Sequence, residues 1–397
     1  MSATATGKFV SDRINRIEIS ATLAVVNEAA QLRAKGADLV DFGAGEPHFS
    51  TPRHIKDAAI DAIEKDFTKY TSVLGIPELR EGIVKRHAAD LGTKYAANEC
   101  IVSTGGKLAL FNAIQVLVDH GDEVIVPVPY WVSFKDIVQY AGGAPVYVEC
   151  QESDGFRLTA DMIAAAITPR TRAIILNTPC NPSGAVMTVD DMRAIAKLAT
   201  DRGIFIIADE CYVYLNYARD PISFGSFHDA KEHMVIIGSF SKTYAMTGWR
   251  MGYALAPAPL IHAMQKLQSQ STSSCSHPVQ KAAVAAVHGP QDCIQKMRSE
   301  YIQLRDRALA GMRAIPGITC QKPDGAFYVY PNVTAFFGRS GIQAASEVAK
   351  RLLQEAHVVT VPGEGFGTHD HIRLSYAVSM SDLERGLERM KKFFAAL

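Results

Sequence analysis

The sequence lacks a long apolar run, paired cysteines and any excess of one charge, and each absence closes a class of function. Its longest hydrophobic stretches, such as Gly203-Ile204-Phe205-Ile206-Ile207-Ala208, fall far short of the roughly 20 residues that span a bilayer. The start, Met1-Ser2-Ala3-Thr4-Ala5-Thr6-Gly7-Lys8, is small and polar with no apolar core behind a basic end, so no secretory leader is expected. The seven cysteines (Cys100, Cys150, Cys180, Cys211, Cys275, Cys293 and Cys320) are scattered and never form Cys-x-x-Cys. That pattern argues against a disulfide framework or a zinc site and points to a reducing cytoplasm. Lys plus Arg and Asp plus Glu both number 41, which leaves no basic excess for nucleic acid or an acidic membrane. There is no internal repeat. His369-Asp370-His371 has a metal-like texture but no third ligand at a suitable spacing, so a solvated loop and no metal are expected there.

What is present is an ordinary core: 48% hydrophobic and 21% charged residues in 397, enough for two to three domains. From Glu99 to Pro257 short apolar runs alternate with helical periods. The runs are Glu99–Ser103, Glu123–Pro127, Pro145–Cys150, Arg172–Asn177, Gly203–Ala208, Met234–Gly238 and Gly252–Ala256. Between them lie Lys107–Val118, Val132–Tyr140 and Val189–Thr200. This α/β alternation predicts a mostly parallel sheet covered by helices, whose ligand sits outside the carboxyl ends of the strands. After Val287 the texture changes to a long charged helix, Gln291–Ile315, and strand-like pieces at Ala326–Tyr330, Val358–Val361 and Ile372–Tyr376. A last helix follows, with Ser381 and Glu384 as a capping box and an apolar stripe of Leu383, Leu387, Met390, Phe394 and Leu397. The expected organisation is a large domain over 51–287 and a smaller α+β domain over 288–397. Residues 1–50 are expected to pack on the latter or on a partner subunit.

Ser239-Phe240-Ser241-Lys242 through Gly248-Trp249-Arg250-Met251-Gly252 crowds special residues into one turn. A lysine that condenses with a carbonyl must first lose its proton, and desolvation with nearby positive charge lowers an amine pKa. The flanking hydroxyls and Arg250 can bind a phosphate. Alone, a loop lysine is usually a solvated surface residue; its neighbours here argue otherwise. Asp209 at the end of a buried strand sits where such sheets keep ligands, but by itself reads better as a helix N-cap or loop residue; Gly105-Gly106-Lys107 opens a helix where exposed amides suit a phosphate. The loop is not a Walker motif, because the Gly-x-x-x-x-Gly-Lys spacing is missing.

The lysine segment resembles the pyridoxal 5′-phosphate (PLP) signature of class I aminotransferases, which share fold type I. The resemblance continues through Ala44-Gly45-Glu46-Pro47, Tyr70 with Gly75-Ile76-Pro77-Glu78-Leu79-Arg80, Thr104-Gly105-Gly106-Lys107 and Pro129-Tyr130-Trp131. It extends to Asn177-Thr178-Pro179-Cys180-Asn181-Pro182-Ser183-Gly184, Asp209-Glu210-Cys211-Tyr212 and Ile372-Arg373-Leu374-Ser375. In order and spacing these cover nearly the whole chain, and they are most similar to the bacterial aspartate and prephenate aminotransferases of that class.

The resemblance implies the following roles. Lys242 carries the cofactor and moves protons as the catalytic base and acid. Asp209 pairs with the ring nitrogen, Asn181 and Tyr212 with the phenolic oxygen, and Trp131 stacks on the ring. Gly105, Gly106, Lys107, Ser239, Ser241 and Arg250 form the phosphate cup, which Tyr70 reaches from the neighbouring subunit of a homodimer. Arg373 clamps the substrate α-carboxylate, with Gly45, Trp131 and Asn181 beside it. One stretch departs from the pattern: where relatives acting on dicarboxylates have a lysine facing the distal carboxylate, Glu18-Ile19-Ser20-Ala21-Thr22 places Glu18, which would repel it unless Glu18 lies on the surface; otherwise another base serves aspartate or the substrate is not acidic. Aspartate with 2-oxoglutarate is the expected pair, against an aromatic, prephenate or other non-acidic substrate. A PLP β-lyase or decarboxylase remains an alternative on the same scaffold. Two others are weaker. Phe42-Gly43-Ala44-Gly45 lacks the third glycine of a dinucleotide fingerprint, and a PLP-holding regulator would need an added DNA-binding segment.

Overall fold

The computed structural model describes residues 10–18 and 21–397, with nothing said of the side chains of 21–26. The start read for a leader, and Ile19 and Ser20, therefore lie outside the described residues. A short strand β1 (Val40–Asp41) precedes seven strands of one sheet: β2 (Cys100–Ser103), β3 (Glu123–Val128), β4 (Ala144–Glu149), β5 (Thr171–Asn177), β6 (Phe205–Asp209), β7 (Met234–Ser239) and β8 (Gly252–Leu255). Their spatial order is β2-β8-β7-β6-β5-β3-β4, and only β8 runs against the rest. Central strands such as Ile206-Ile207-Ala208 are buried on both faces, as a sheet covered on both sides requires. Edge strand β4 buries only Val148 fully and tolerates Pro145.

The pleat sorts each strand between two cores. Ile174, Leu176, Ile206, Ala208 and Ile236 face one core with the helices Arg53–Glu64, Pro77–Leu91, Val189–Arg202 and His277–His288. Ala173, Ile175, Ile207 and Val235 face the other, with Gly106–Leu117, Ser133–Ala141 and Ala258–Ser269. The strand read as Gly203–Ala208 starts later, because Gly203 (φ +66°) caps the preceding helix in the left-handed conformation.

A third core gathers the helices Asp292–Arg313, Ala345–Glu355 and Met380–Ala395 around β9 (Tyr328–Val329), β10 (Val358–Val359) and β12 (Ile372–Ser375), while β11 (Val361–Pro362) pairs with β12 and buries Val361 in the first core. β1 pairs in parallel with β10, and Phe42 packs where a Cβ on Gly386 would come within 2.3 Å of its ring. The strand expected at Val358–Val361 is thus two short strands serving different sheets. The last helix is capped by Ser379, whose hydroxyl accepts from the Asp382 amide at 3.1 Å, rather than by Ser381. The serine-x-x-acid pattern recurs two residues earlier, and that copy wins. His371 is 3% exposed rather than solvated, because its ring sits between the carboxylates of Asp370 and Glu152.

The carboxyl ends of β2, β3, β5, β6 and β7 and the start of β8 share one edge. There Gly252 pairs with Ser103 on one side and Ser239 on the other, and a Cβ on it would fall 2.3 Å from the Gly106 nitrogen. Gly252→Ala is expected to destabilise the protein by about 2 kcal/mol and lower the thermal midpoint by several degrees. An unchanged melting curve would show that the Gly105–Gly106 turn gives way freely.

Candidate active site

At this edge lies a cleft of about 460 Å³. Every residue proposed from the sequence lines it except Gly105, which abuts Arg250 just behind, and Tyr70, which stands 92% exposed outside it. The floor is Asp209, the last residue of β6, 7% exposed. Its carboxylate accepts only the Cys211 amide, at 3.1 Å, among the hydrogen bonds of the described residues. Burial pushes its pKa up to about 6, against the pull of that amide and of Lys242. Glu210 beside it is pushed up to about 8 by burial and stays neutral near pH 7, its Oε1 accepting from the Phe224 amide.

Lys242 lies in the short helix Phe240–Thr243 directly after β7. Burial lowers its pKa, helped by the positive charges of Arg373 and Arg250, and its amine donates to the Gly45 carbonyl. Arg250 has φ +54° and donates from Nη1 to the Thr247 carbonyl at 2.9 Å. A Cβ on Gly105 would fall 2.4 Å from the other guanidinium nitrogen, so glycine lets the cation rest against this turn. Ser239 and Ser241 complete a concave, cationic cup at the start of the helix Gly106–Leu117. Lys107 lies with its Nζ 4.8 Å from the centre of the Trp131 ring; burial and the nearby Arg250 lower its pKa.

The opposite wall comes from the C-terminal core and the N-terminal segment. Asp41 Oδ1 accepts the amides of Gly43 and Ala44, a local turn that sends Gly43–Gly45 into the cleft. Arg373 donates from Nη2 to the Gly43 carbonyl at 2.7 Å and from Nη1 to Asn181 Oδ1 at 3.1 Å. Its Nε, although buried, has no hydrogen-bond partner among the described residues. Asn181 is held by its amide on Asn177 Oδ1 at 2.8 Å, and Asn177 donates to the Asp209 carbonyl at 2.9 Å.

Sequence reasoning missed Asn177 and Tyr328. The Tyr328 ring lies 4.5 Å from the Arg373 guanidinium, and its hydroxyl meets that of Tyr212 at 2.7 Å. Burial raises both phenols, so both remain protonated donors. The aromatic run Phe327-Tyr328-Val329-Tyr330 reads as core strand, and only the pleat reveals which ring faces the cleft. Glu18 does not line the cleft. Its carboxylate pairs with Lys135 at 3.2 Å on the outer helix Ser133–Ala141, so the repulsion expected at the distal carboxylate does not arise within the chain.

Residues 37–390 match the model of the family described as aminotransferase class I and II. The chain belongs to this family. It is 44% identical to an aspartate aminotransferase of Geobacillus stearothermophilus over 98% of this chain and 99% of that protein. It is 39% identical to an aspartate/prephenate aminotransferase of Nitrosomonas europaea, over 96% and 98%. A solved aspartate aminotransferase of Thermus thermophilus with maleate superposes with a TM-score of 0.93 at 40% identity, covering 97% of this chain and all of that one. This aminotransferase therefore has PLP as its cofactor and exchanges amino groups between amino acids and 2-oxo acids. The cleft fits that cofactor: a buried carboxylate short of a cation, a cationic cup that glycine keeps open, and an amine of lowered pKa between them.

A carboxylate raised from 3.8 to about 6 costs the fold stability as pH rises through that range, and above it the cost stays at about 2–3 kcal/mol. Asp209→Asn is expected to stabilise the cofactor-free protein by about 2 kcal/mol at pH 8 and hardly at all at pH 4. Thermal unfolding at the two pH values checks this; equal shifts at both would refute it.

Proposed function

We propose that this aminotransferase takes aspartate as amino donor and 2-oxoglutarate as acceptor, with Lys107 holding the side-chain carboxylate. The observation that carries this is the set of four cations lining the cleft: Lys107, Lys242, Arg250 and Arg373. Lys242 bonds to the cofactor, Arg250 serves its phosphate with Gly105, Gly106, Ser239 and Ser241, and Arg373 with its free Nε takes the α-carboxylate. Lys107 is left, partly desolvated over Trp131, with no carboxylate partner among the described residues. The names of relatives at about 40% identity support aspartate, and some of those names include prephenate as well.

When bound, PLP supplies the aldehyde that receives the amino group and a ring that accepts electrons. Asp209 would keep a proton on the cofactor's ring nitrogen, the Tyr212 hydroxyl and the Asn181 side-chain amide would donate to its phenolic oxygen, and Trp131 would stack on the ring. Arg373, fixed by Gly43 and Asn181, orients the substrate so that Lys242 Nζ removes the proton from its α carbon and returns a proton on the other side of the exchange.

The assembly we assign is a homodimer. Tyr70 stands exposed outside its own cleft, and Ile60 and Ile63 of the helix Arg53–Glu64 are exposed as well; on this reading a partner covers them and Tyr70 serves the neighbour's phosphate cup. On this reading residues 51–287 form the cofactor domain and 288–397 the small domain, and 1–50 is the segment that packs upon the latter. Seven free thiols suit a cytoplasmic enzyme.

Lys242→Ala is expected to abolish transamination and the visible absorbance of the lysine-bound cofactor. Lys107→Met should raise KM for aspartate by about tenfold or more while leaving alanine or phenylalanine nearly unchanged. Equal losses on acidic and neutral amino acids would overturn the role of Lys107. Sedimentation at twice the chain mass is expected, and a monomer with full activity would overturn the role of Tyr70.

A further inference from the structure

A carboxylate outside the cleft ties the C-terminal core to the sheet. Glu152 stands in the short turn Glu152–Asp154 directly after edge strand β4. Its Oε1 accepts from the Thr319 hydroxyl at 2.9 Å, and its Oε2 from Asn332 Nδ2 and His371 Nε2, each at 3.2 Å. Burial alone would raise its pKa, but these donors hold it below the usual carboxylate value. The three donors come from three segments already joined by backbone bonds, Asn332 N to Thr319 O at 2.9 Å and Ile372 N to Pro331 O at 3.1 Å. His371 is fixed further by Asp370 on Nδ1 at 2.7 Å and by stacking on Tyr330, with ring centres 4.7 Å apart and planes at 10°.

His371 and Arg373 are two residues apart on an extended strand, so their side chains leave the same face. One reaches Glu152; the other reaches Gly43 and Asn181. We infer that Glu152 is a positioning residue for Arg373: by gripping His371 it fixes the start of β12, and hence where the guanidinium meets the substrate α-carboxylate. The inference rests on the reading of Arg373 as the carboxylate clamp. Because the latch acts through a group shared by all amino acids, it affects acidic and neutral donors alike, unlike Lys107.

The test uses the holoenzyme. Glu152→Ala is expected to raise KM for aspartate and for alanine by about tenfold, with kcat within about twofold and the cofactor absorbance unchanged. Calorimetry should show succinate binding weakened by a similar factor. Glu152→Gln should behave as wild type, since its oxygen can serve Asn332 and His371 while its amide donates to the Thr319 hydroxyl. In an Arg373→Lys background, Glu152→Ala should change nothing further. Unchanged KM and succinate affinity in Glu152→Ala, or losses that add to those of Arg373→Lys, would overturn the latch. If Arg373→Lys itself alters neither quantity, the clamp reading fails instead. Should Glu152→Ala not fold, Thr319→Val removes one donor and must raise the same two KM values by about two- to threefold, or the latch is overturned.

Discussion

The cleft is organised around one costly placement: the carboxylate of Asp209 buried at the end of a central strand with a single amide for company. An ionised group in such a position is stabilised only by a positive charge brought to it. The nearby lysine contributes at a distance, and burial works against its own charge. The site is therefore electrostatically incomplete by construction, and a cofactor with a basic ring nitrogen and a phosphate completes both its ends. The neutral Glu210 next door belongs to the same arrangement, since a second charge there would push Asp209 toward protonation.

Around that point the fold divides the work. Strand ends of the sheet present the cofactor half, where glycines at 105 and 252 allow backbone and guanidinium to approach closely. The half proposed to take the substrate is carried by other elements: the turn made by Asp41, the Asn177–Asn181 loop and strand β12. Arg373 is the joint between the halves, lying between the Tyr328 and Phe366 rings while bonded to a carbonyl and an amide from elsewhere in the chain.

The cofactor half was largely legible in the sequence. Strands such as β5, β6 and β7 are continuous apolar runs ending in Asn177, Asp209 and Ser239, and the ends of such strands are where a parallel sheet keeps its ligands. The C-terminal region was less so. Its strands are two to four residues long and owe their existence to pairing partners far away in the chain, which no local pattern records. His371 read as solvent-facing because its two carboxylate neighbours include Glu152, 219 residues earlier. Tyr328 was hidden among aromatic neighbours, and Glu18 seemed to threaten the substrate only because its partner Lys135 is distant in sequence. In each case the deciding interaction is long-range, and sequence shows only residue type.

That long range has a consequence for how the enzyme comes into being. The clamp joins Arg373 to Gly43, positions separated by 330 residues. A ribosome delivers Gly105 through Arg250 well before Arg373, and domains generally fold as units during synthesis. On the proposed reading of Arg373, the half that holds the cofactor thus precedes the half that grips the substrate, and a nascent chain gains the working geometry for an amino acid only once the strand carrying Arg373 has emerged.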